Sequence, residues 1–382
     1  MMRKASPLPS ILEHSPVRVV FGDGTLDRLG TLAREEGARH VLLVTDPGLE
    51  AAGHPQRAHG SLEEAGLTVT VFDGVKENPT TANVRAGLAV AFESHPDFLV
   101  AVGGGSSMDC AKGINLLYTN GGQMADYWGI DKATQPMLPL IAVPATAGTG
   151  SEAQSFALIS DEDTHQKMAC GDRRLPLEGG LRPRIAILDP VVTRTQPPAV
   201  AAAAGIDAVA HAVETSATKA RTDISRHFSV AAWRHIEPAF ETALRDPSDG
   251  EARSHMLLGA HLAGAAIEHS MLGAAHACAN PLTAKFGIVH GRAVGIMLPH
   301  VVRYNASVGD NPYADLGGGE EIAGCIEGFL AAAGFPATLS ACGVPVGALP
   351  ELALEAAKQW TATFNPVPVR ESELLEIYRS AF

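Results

Sequence analysis

Residues 98–112 read FLVAVGGGSSMDCAK. An unbroken apolar run ends in three glycines and then turns small, polar and helical. A short run without alternation suits a strand buried on both faces. The glycines let the chain turn tightly and leave amides uncovered at a helix start, where the dipole favours a phosphate group. Ser106 and Ser107 add hydroxyl donors, and Asp109 is expected in the first helical turn. The motif is neither GxGxxG, because Met108 stands where the third glycine belongs, nor a Walker loop. Taken alone, a plain tight turn explains it equally well.

A second segment of the same kind changes that balance. PATAGTGSE, residues 144–152, follows the strand-like run 139–143 and carries Thr146, Thr149, Ser151 and Glu152. Two small-residue, hydroxyl-rich turns at the ends of two parallel strands suggest one crevice for a long ligand, and a dinucleotide fits it. Asp46 ends an earlier run, HVLLVT. A carboxylate there can accept from a ribose 2′-hydroxyl and repel a 2′-phosphate, favouring NAD over NADP; a helix cap is its other reading. Asn78, in Asn78-Pro79-Thr80, can reach the same ligand or simply start a helix.

Further strands are expected at 18–21, 68–72 and 185–188, with helices at 24–37, 56–66, 81–94 and 107–119. Strands alternating with helices imply a parallel sheet with helices on both faces, a Rossmann-like α/β arrangement. From about Gln196 the pattern becomes helical throughout, at 199–220, 223–245, 249–272 and 318–342. The division falls at Thr195-Gln196-Pro197-Pro198, giving an α/β dinucleotide-binding domain over 1–195 and an all-α metal and substrate domain over 196–382.

The helical half holds the second chemical feature. In GIDAVAHAVE, Asp207 and His211 are four apart and share a helix face, so both can reach one metal ion. His276 and His290 are fourteen apart, about 21 Å along a continuous helix. A turn at Ala-Lys-Phe-Gly can return them to one point, with His290 opening a new helix. One carboxylate and three neutral imidazoles leave a divalent ion with net charge +1 and room for another ligand. Such a donor set suits Fe(II), Zn(II), Mn(II) or Co(II), acting as a Lewis acid on an alcohol or carbonyl oxygen. The remaining histidines (14, 54, 59, 95, 165, 227, 235, 255, 261, 269 and 300) read as surface or core residues, with His261 or His269 candidates for a site lining. Cys278 reads as a small buried residue.

Composition sets the outer limits. The chain has 382 residues, Lys+Arg 29 against Asp+Glu 42, and a formal charge of −13, which argues against a nucleic-acid partner. It leaves room for a small anion held by backbone amides. Five widely spaced cysteines without CxxC argue against a disulfide framework and fit a reducing compartment. Met1–Pro16 lacks the apolar stretch of a secretory signal. Residues 256–278 are apolar, yet Glu268, His261, His269 and His276 make a buried soluble helix the better reading than a membrane span.

Together GGGSSMDCAK, PATAGTGSE, GIDAVAHAVE and GAAHACANPLTAKFGIVHG resemble, in order and spacing, the iron-containing (group III) alcohol dehydrogenase family, and the resemblance runs from about Val17 to the end. It implies a cytoplasmic, homo-oligomeric, metal-dependent NAD(P)(H) alcohol dehydrogenase or aldehyde reductase acting on a small-molecule substrate, with no membrane partner. It implies metal ligands Asp207, His211, His276 and His290, with iron expected first. It implies a cofactor lying along Gly103, Gly104, Gly105, Ser106, Ser107, Asp109, Thr146 and Thr149, with Asp46 at the adenosine ribose, Asn78 nearby and Lys167 on a ribose. Asn280 stands where many members carry a substrate-side histidine; an amide cannot shuttle a proton near neutral pH. Residues 174–182 (RLPLEGGLR) look longer than the usual connection, which can alter a sheet edge, a site mouth or a subunit contact. A zinc polyol dehydrogenase, a dehydroquinate-synthase-like lyase and a non-enzymatic nucleotide or metal sensor are the rival readings.

Overall fold

The computed structural model describes residues 12, 15–164, 166–308 and 310–382; most of Met1–Pro16, together with His14 and His165, lies outside the described residues. The strands are β1 (Arg18–Phe21), β2 (His40–Val44), β3 (Thr68–Phe72), β4 (Phe98–Gly103), β5 (Gly129–Ile130), β6 (Leu140–Pro144), β7 (Phe156–Ser160), β8 (Lys167–Gly171) and β9 (Ile185–Leu188). Contacts group the chain into two compact units, 1–146 with 151–196, and 147–150 with 197–382.

In the first unit six strands form one sheet in the order β1-β9-β6-β4-β2-β3, and every pairing is parallel. The apolar runs are buried on both faces and sort by alternation. Val41, Leu43, Val100, Val102, Ile141 and Val143 face one core with Leu26, Leu29, Leu32 and Leu62. Leu42, Val44, Leu99, Ala101 and Ala142 face the other with Met108, Ile114 and Leu117. Accordingly α1 (Leu29–Glu35) and the later α3 (His54–Glu64) cover the first face, with the short α2 (Pro47–Glu50) between them in sequence. On the second face lie α4 (Thr81–Ser94) and α5 (Gly105–Asn120). A short α6 (Pro190–Thr193) closes the unit, with Asp189 accepting from Val191 N at its start.

The order places a switch point between β2 and β4. From β2 the chain steps out to β3, then returns to β2's other side and continues outward through β4 and β6. Ligands of open α/β sheets bind beyond the carboxyl ends at such a point. Asp46 follows β2 there, the glycine turn follows β4, and the PATAGTG segment begins at the end of β6, where Gly103 pairs with Pro144.

Two expectations need correcting. A separate sheet, β5-β8-β7, was not foreseen; β7 and β8 form an antiparallel hairpin from Phe156↔Gly171 to Ser160↔Lys167. Also, α5 starts at Gly105, two residues early, so Asp109 falls in its second turn and not its first. The 174–182 connection is a closed loop. Arg174 pairs with Asp172 at 2.8 Å, Gly180 N donates to Leu175 O, and Met137 N donates to Gly179 O. It leaves Leu175 and Leu177 exposed.

The second unit is helical: α7 (Pro198–Ala217), α8 (Asp223–Arg245), α9 (Gly250–Glu268), α10 (Ala274–Phe286), α11 (His290–Ser307), α12 (Gly319–Ala332), α13 (Leu349–Ala357) and α14 (Glu371–Ser380). Nearly every residue of α7 from Ala202 onward is buried, and it packs against α8, α9 and α11. Its alanines let backbones approach closely: a Cβ on Gly291 would stand 2.0 Å from Ala203 O. The expected helix 249–272 stops at Glu268, so 256–278 spans parts of two helices parted by a turn. Pro281 lies inside α10 and does not end it; Gly287, at φ 63°, does. No helix among the described residues is long and apolar enough to cross a membrane. All five cysteines are free thiols.

Candidate metal centre and dinucleotide turn

One helix supplies half of the metal candidates. Asp207 and His211 sit one turn apart on α7, both buried, and His211 Nε2 lies 3.4 Å from Asp207 Oδ1. Helix α10 brings His276, buried, with Nε2 at 3.4 Å from the same oxygen. Helix α11 opens on His290, whose Nε2 is 3.7 Å away. Three imidazole nitrogens thus converge on one carboxylate oxygen. The tightest group is Asp207, His276 and His290, whose donor atoms all lie within 4.8 Å of one another. His211 joins through Asp207 and by stacking on His276, centroids 5.0 Å apart.

The donor set fits a divalent ion. Asp207 Oδ1 and His276 Nε2 are buried without a hydrogen-bond partner. Buried polar atoms without partners are rare and costly, and here they point at each other across a space that a cation would satisfy. Burial pushes Asp207 upward, but the imidazoles of His211, His276 and His290 hold it well below the usual carboxylate range. Burial pushes His211 down against the pull of Asp207. For His276 burial also opposes charge, yet Glu214 and Asp207 hold it up at about 9.

Glu214 is a residue that sequence reasoning missed. It follows His211 by three on α7, is buried, and accepts from His276 Nδ1 at 2.5 Å and from Ala275 N at 2.7 Å. The available signal was its i+7 spacing from Asp207 in GIDAVAHAVE. Asn280, one turn after His276, donates through Nδ2 to Gln359 Oε1 at 3.0 Å. His269 stacks on Phe228 at 5.9 Å. The Cys278 thiol is pushed far up by burial and offers no thiolate nucleophile.

In the first unit, the expected cofactor residues fall into groups. Asp46 Oδ2 accepts from Ser107 Oγ at 2.9 Å. Gly103 is held at φ 159°, and a Cβ there would stand 2.2 Å from Ser107 Oγ and 3.1 Å from Asp46 Oδ2, so only glycine fits. Asn78 N donates to Ser106 Oγ at 3.2 Å, and Lys167 Nζ reaches Asn78 Oδ1 at 3.5 Å. Gly104 lies beside Thr146, 3.5 Å from a built Cβ to its hydroxyl. Asp109 is different: it is buried and accepts from Ser151 Oγ at 2.7 Å, and Lys112 Nζ donates to that same hydroxyl at 2.8 Å. Its carboxylate is engaged inside the unit. Thr149 lies in the 147–150 piece that packs with the second unit, where a Cβ on Gly150 would stand 2.5 Å from Gly264 Cα.

Comparison with known proteins fits both features. Residues 16–190 match the family model described as iron-containing alcohol dehydrogenase, and 201–382 match the model of the Fe-containing alcohol dehydrogenase C-terminal part. The chain belongs to the iron-containing alcohol dehydrogenase family. It is 35% identical to 1,3-propanediol dehydrogenase of Citrobacter freundii over 95% of this chain and 96% of that one. A crystal structure of 1,3-propanediol oxidoreductase superposes with TM-score 0.89 at 33% identity, covering 96% and 98% of the two chains. Sulfoacetaldehyde reductase from Bifidobacterium kashiwanohense, solved in complex with NAD+, superposes with TM-score 0.87 at 27% identity over 96% and 97%. As an iron-containing alcohol dehydrogenase the chain is an oxidoreductase acting on CH–OH groups. The zinc polyol reading is not favoured by these relatives, and a lyase or sensor reading does not match a family of alcohol and aldehyde oxidoreductases.

Proposed function

We propose that this protein is an Fe(II)-dependent, NAD-linked alcohol dehydrogenase and aldehyde reductase, cytoplasmic and homo-oligomeric. The observation that carries this reading is the convergence of three imidazole nitrogens on Asp207 Oδ1, with buried donor atoms left without partners. In this reading Asp207, His211, His276 and His290 hold the ion, and residues 196–382 form the metal and substrate domain. Residues 1–195 hold the dinucleotide through Asp46, Asn78, Gly103, Gly104, Gly105, Ser106, Ser107, Thr146 and Lys167, with Thr149 contributing from the following turn. Asp109 acts there through Ser151 and not by direct contact. When bound, the ion supplies Lewis acidity toward an alcohol or carbonyl oxygen and the nicotinamide supplies the hydride acceptor or donor.

The chain's own residues do the rest. The amides of the Gly103–Gly105 turn and the start of α5 receive the pyrophosphate without help from lysines, as an acidic protein requires. Asp46 accepts from a ribose hydroxyl and repels a 2′-phosphate. Asn280 is an amide and carries no proton near neutral pH, so proton exchange runs through water or the ribose hydroxyls.

The test pairs metal analysis of anaerobically purified protein with rates on NAD and NADP. Replacing His276 and His290 together by Ala is expected to abolish turnover and metal content while leaving the fold. Full activity in that metal-free double variant overturns the reading.

A further inference from the structure

The inference concerns how His276 is held, and it rests on the reading of His276 as a metal ligand. Helix α10 starts at Ala274 behind Gly273, which offers no side-chain acceptor of its own. The first amides of any helix need outside partners. Two acceptors from distant parts of the chain supply them: Glu214 Oε1 takes Ala275 N at 2.7 Å, and Asn365 Oδ1 takes Ala274 N at 3.3 Å. Asn365 is itself fixed, donating to Asn305 Oδ1 at 2.6 Å and to Val367 O at 2.7 Å. A negative charge at this end also complements the dipole of α10.

The second oxygen of Glu214 does different work. It faces His276 Nδ1 at 2.5 Å. With Oε1 already occupied by a backbone N–H, the carboxylate can meet that nitrogen only as an acceptor. Nδ1 must therefore carry the ring proton, and the lone pair is left on Nε2, the atom aimed at Asp207 Oδ1. The same side chain sets where α10 begins and which nitrogen its second-turn side of the site offers. Gly273 leaves room for this: a Cβ there would stand 3.0 Å from Glu214 Oε1 and 3.2 Å from Asn365 Oδ1.

We propose that Glu214 is a positioning residue that presets the metal-binding tautomer and place of His276 before any ion arrives. A carboxylate behind a ligating imidazole is a known way to orient it and raise its basicity, and losing one typically costs 10–100-fold in metal affinity.

Glu214→Gln isolates the idea because it keeps volume but has one acceptor and one donor end. If its oxygen takes Ala275 N–H, its amide nitrogen confronts Nδ1 and drives the proton to Nε2. If its oxygen takes Nδ1–H, two donors meet at Ala275. The measurement is Zn(II) affinity by competition with a chromophoric chelator on folded protein, together with the 15N shifts of the His276 ring in histidine-labelled, metal-free protein. Expected are a loss of affinity of roughly 10–100-fold and departure from the Nδ1–H tautomer seen in the unaltered chain. Gly273→Ala, which keeps the carboxylate but presses on it, is expected to weaken Zn(II) binding in the same direction and stands in should Glu214→Gln fail to fold. Unaltered affinity and tautomer in the folded variant overturn the proposal. His276→Ala is run beside them: if it too binds Zn(II) normally, the ligand reading has failed, whereas loss there with none in Glu214→Gln refutes only the role of Glu214.

Discussion

Asp46 carries two readings from the sequence, helix cap and ribose acceptor, and its surroundings separate them. It stands at the start of α2, yet its side chain makes no cap hydrogen bond and instead accepts from Ser107 at the first turn of α5. It is thereby aimed along the glycine turn, where an adenosine ribose is expected. A like charge facing a 2′-phosphate is the feature that excludes NADP. Asp46→Gly is accordingly expected to raise the NADP-to-NAD ratio of kcat/KM by about tenfold or more, since 1.4 kcal/mol of differential binding is one decade; steady-state rates with both cofactors check it, and an unchanged ratio would sink the assignment. Other residues at this scale were legible to different degrees. Asp207 and His211 declare themselves by i,i+4 spacing among alanines. Glu214 does not, because a carboxylate two turns on reads as the solvated side of a helix until burial is known. Asp109 shows the opposite error, a residue in a telling motif that turns inward to Ser151.

Elements are held together in the second unit by close backbone approach, and glycines mark where. Gly264 in α9 faces Gly150: a Cβ on Gly264 would stand 2.4 Å from Gly150 O and 2.7 Å from Gly150 Cα, backbone atoms that cannot swing away. Gly324 in α12 is exposed, and a Cβ there meets nothing within 4 Å. The two should answer the same substitution with opposite signs. Gly264→Ala is expected to destabilise by about 1–3 kcal/mol through overpacking. Gly324→Ala should stabilise by roughly 0.5–1 kcal/mol through helix propensity. Urea midpoints decide it, and equal shifts would refute the packing argument. Nothing in AHLAGAAIE announces this, because the partner of Gly264 lies more than a hundred residues away. The same limit explains the missed hairpin. Strands β2, β4 and β6 are legible because burial on both faces demands an apolar run. β7 and β8 are half-exposed, FALIS and KMACG, and neither alternation nor a two-residue turn marks them.

At the scale of the whole molecule, the two kinds of ligand residue belong to different units. All four proposed metal ligands lie in 197–382, while the proposed dinucleotide residues lie in 1–146 and 151–196, Thr149 excepted. A ligand that binds only the folded form stabilises what it binds, by about 2.7 kcal/mol at a hundred times its dissociation constant. Local opening is governed by the same free energy, segment by segment. Chelating the ion should therefore speed amide exchange first in α7, α10 and the start of α11, where Asp207, His211, His276 and His290 would lose their common partner. Adding NAD to the chelated protein should instead slow exchange around Gly103–Ser107 and Asp46. Hydrogen exchange read by mass spectrometry resolves these peptides. If chelation loosened the glycine turn as much as α7, or NAD protected α10 as strongly as α5, the division of labour between residues 1–195 and 196–382 would be wrong. The acidic charge of −13 makes the second half of the test sharper. An anion protected by so acidic a chain must be held by local amides, so its footprint should stay confined to the glycine turn and the strand ends beside it.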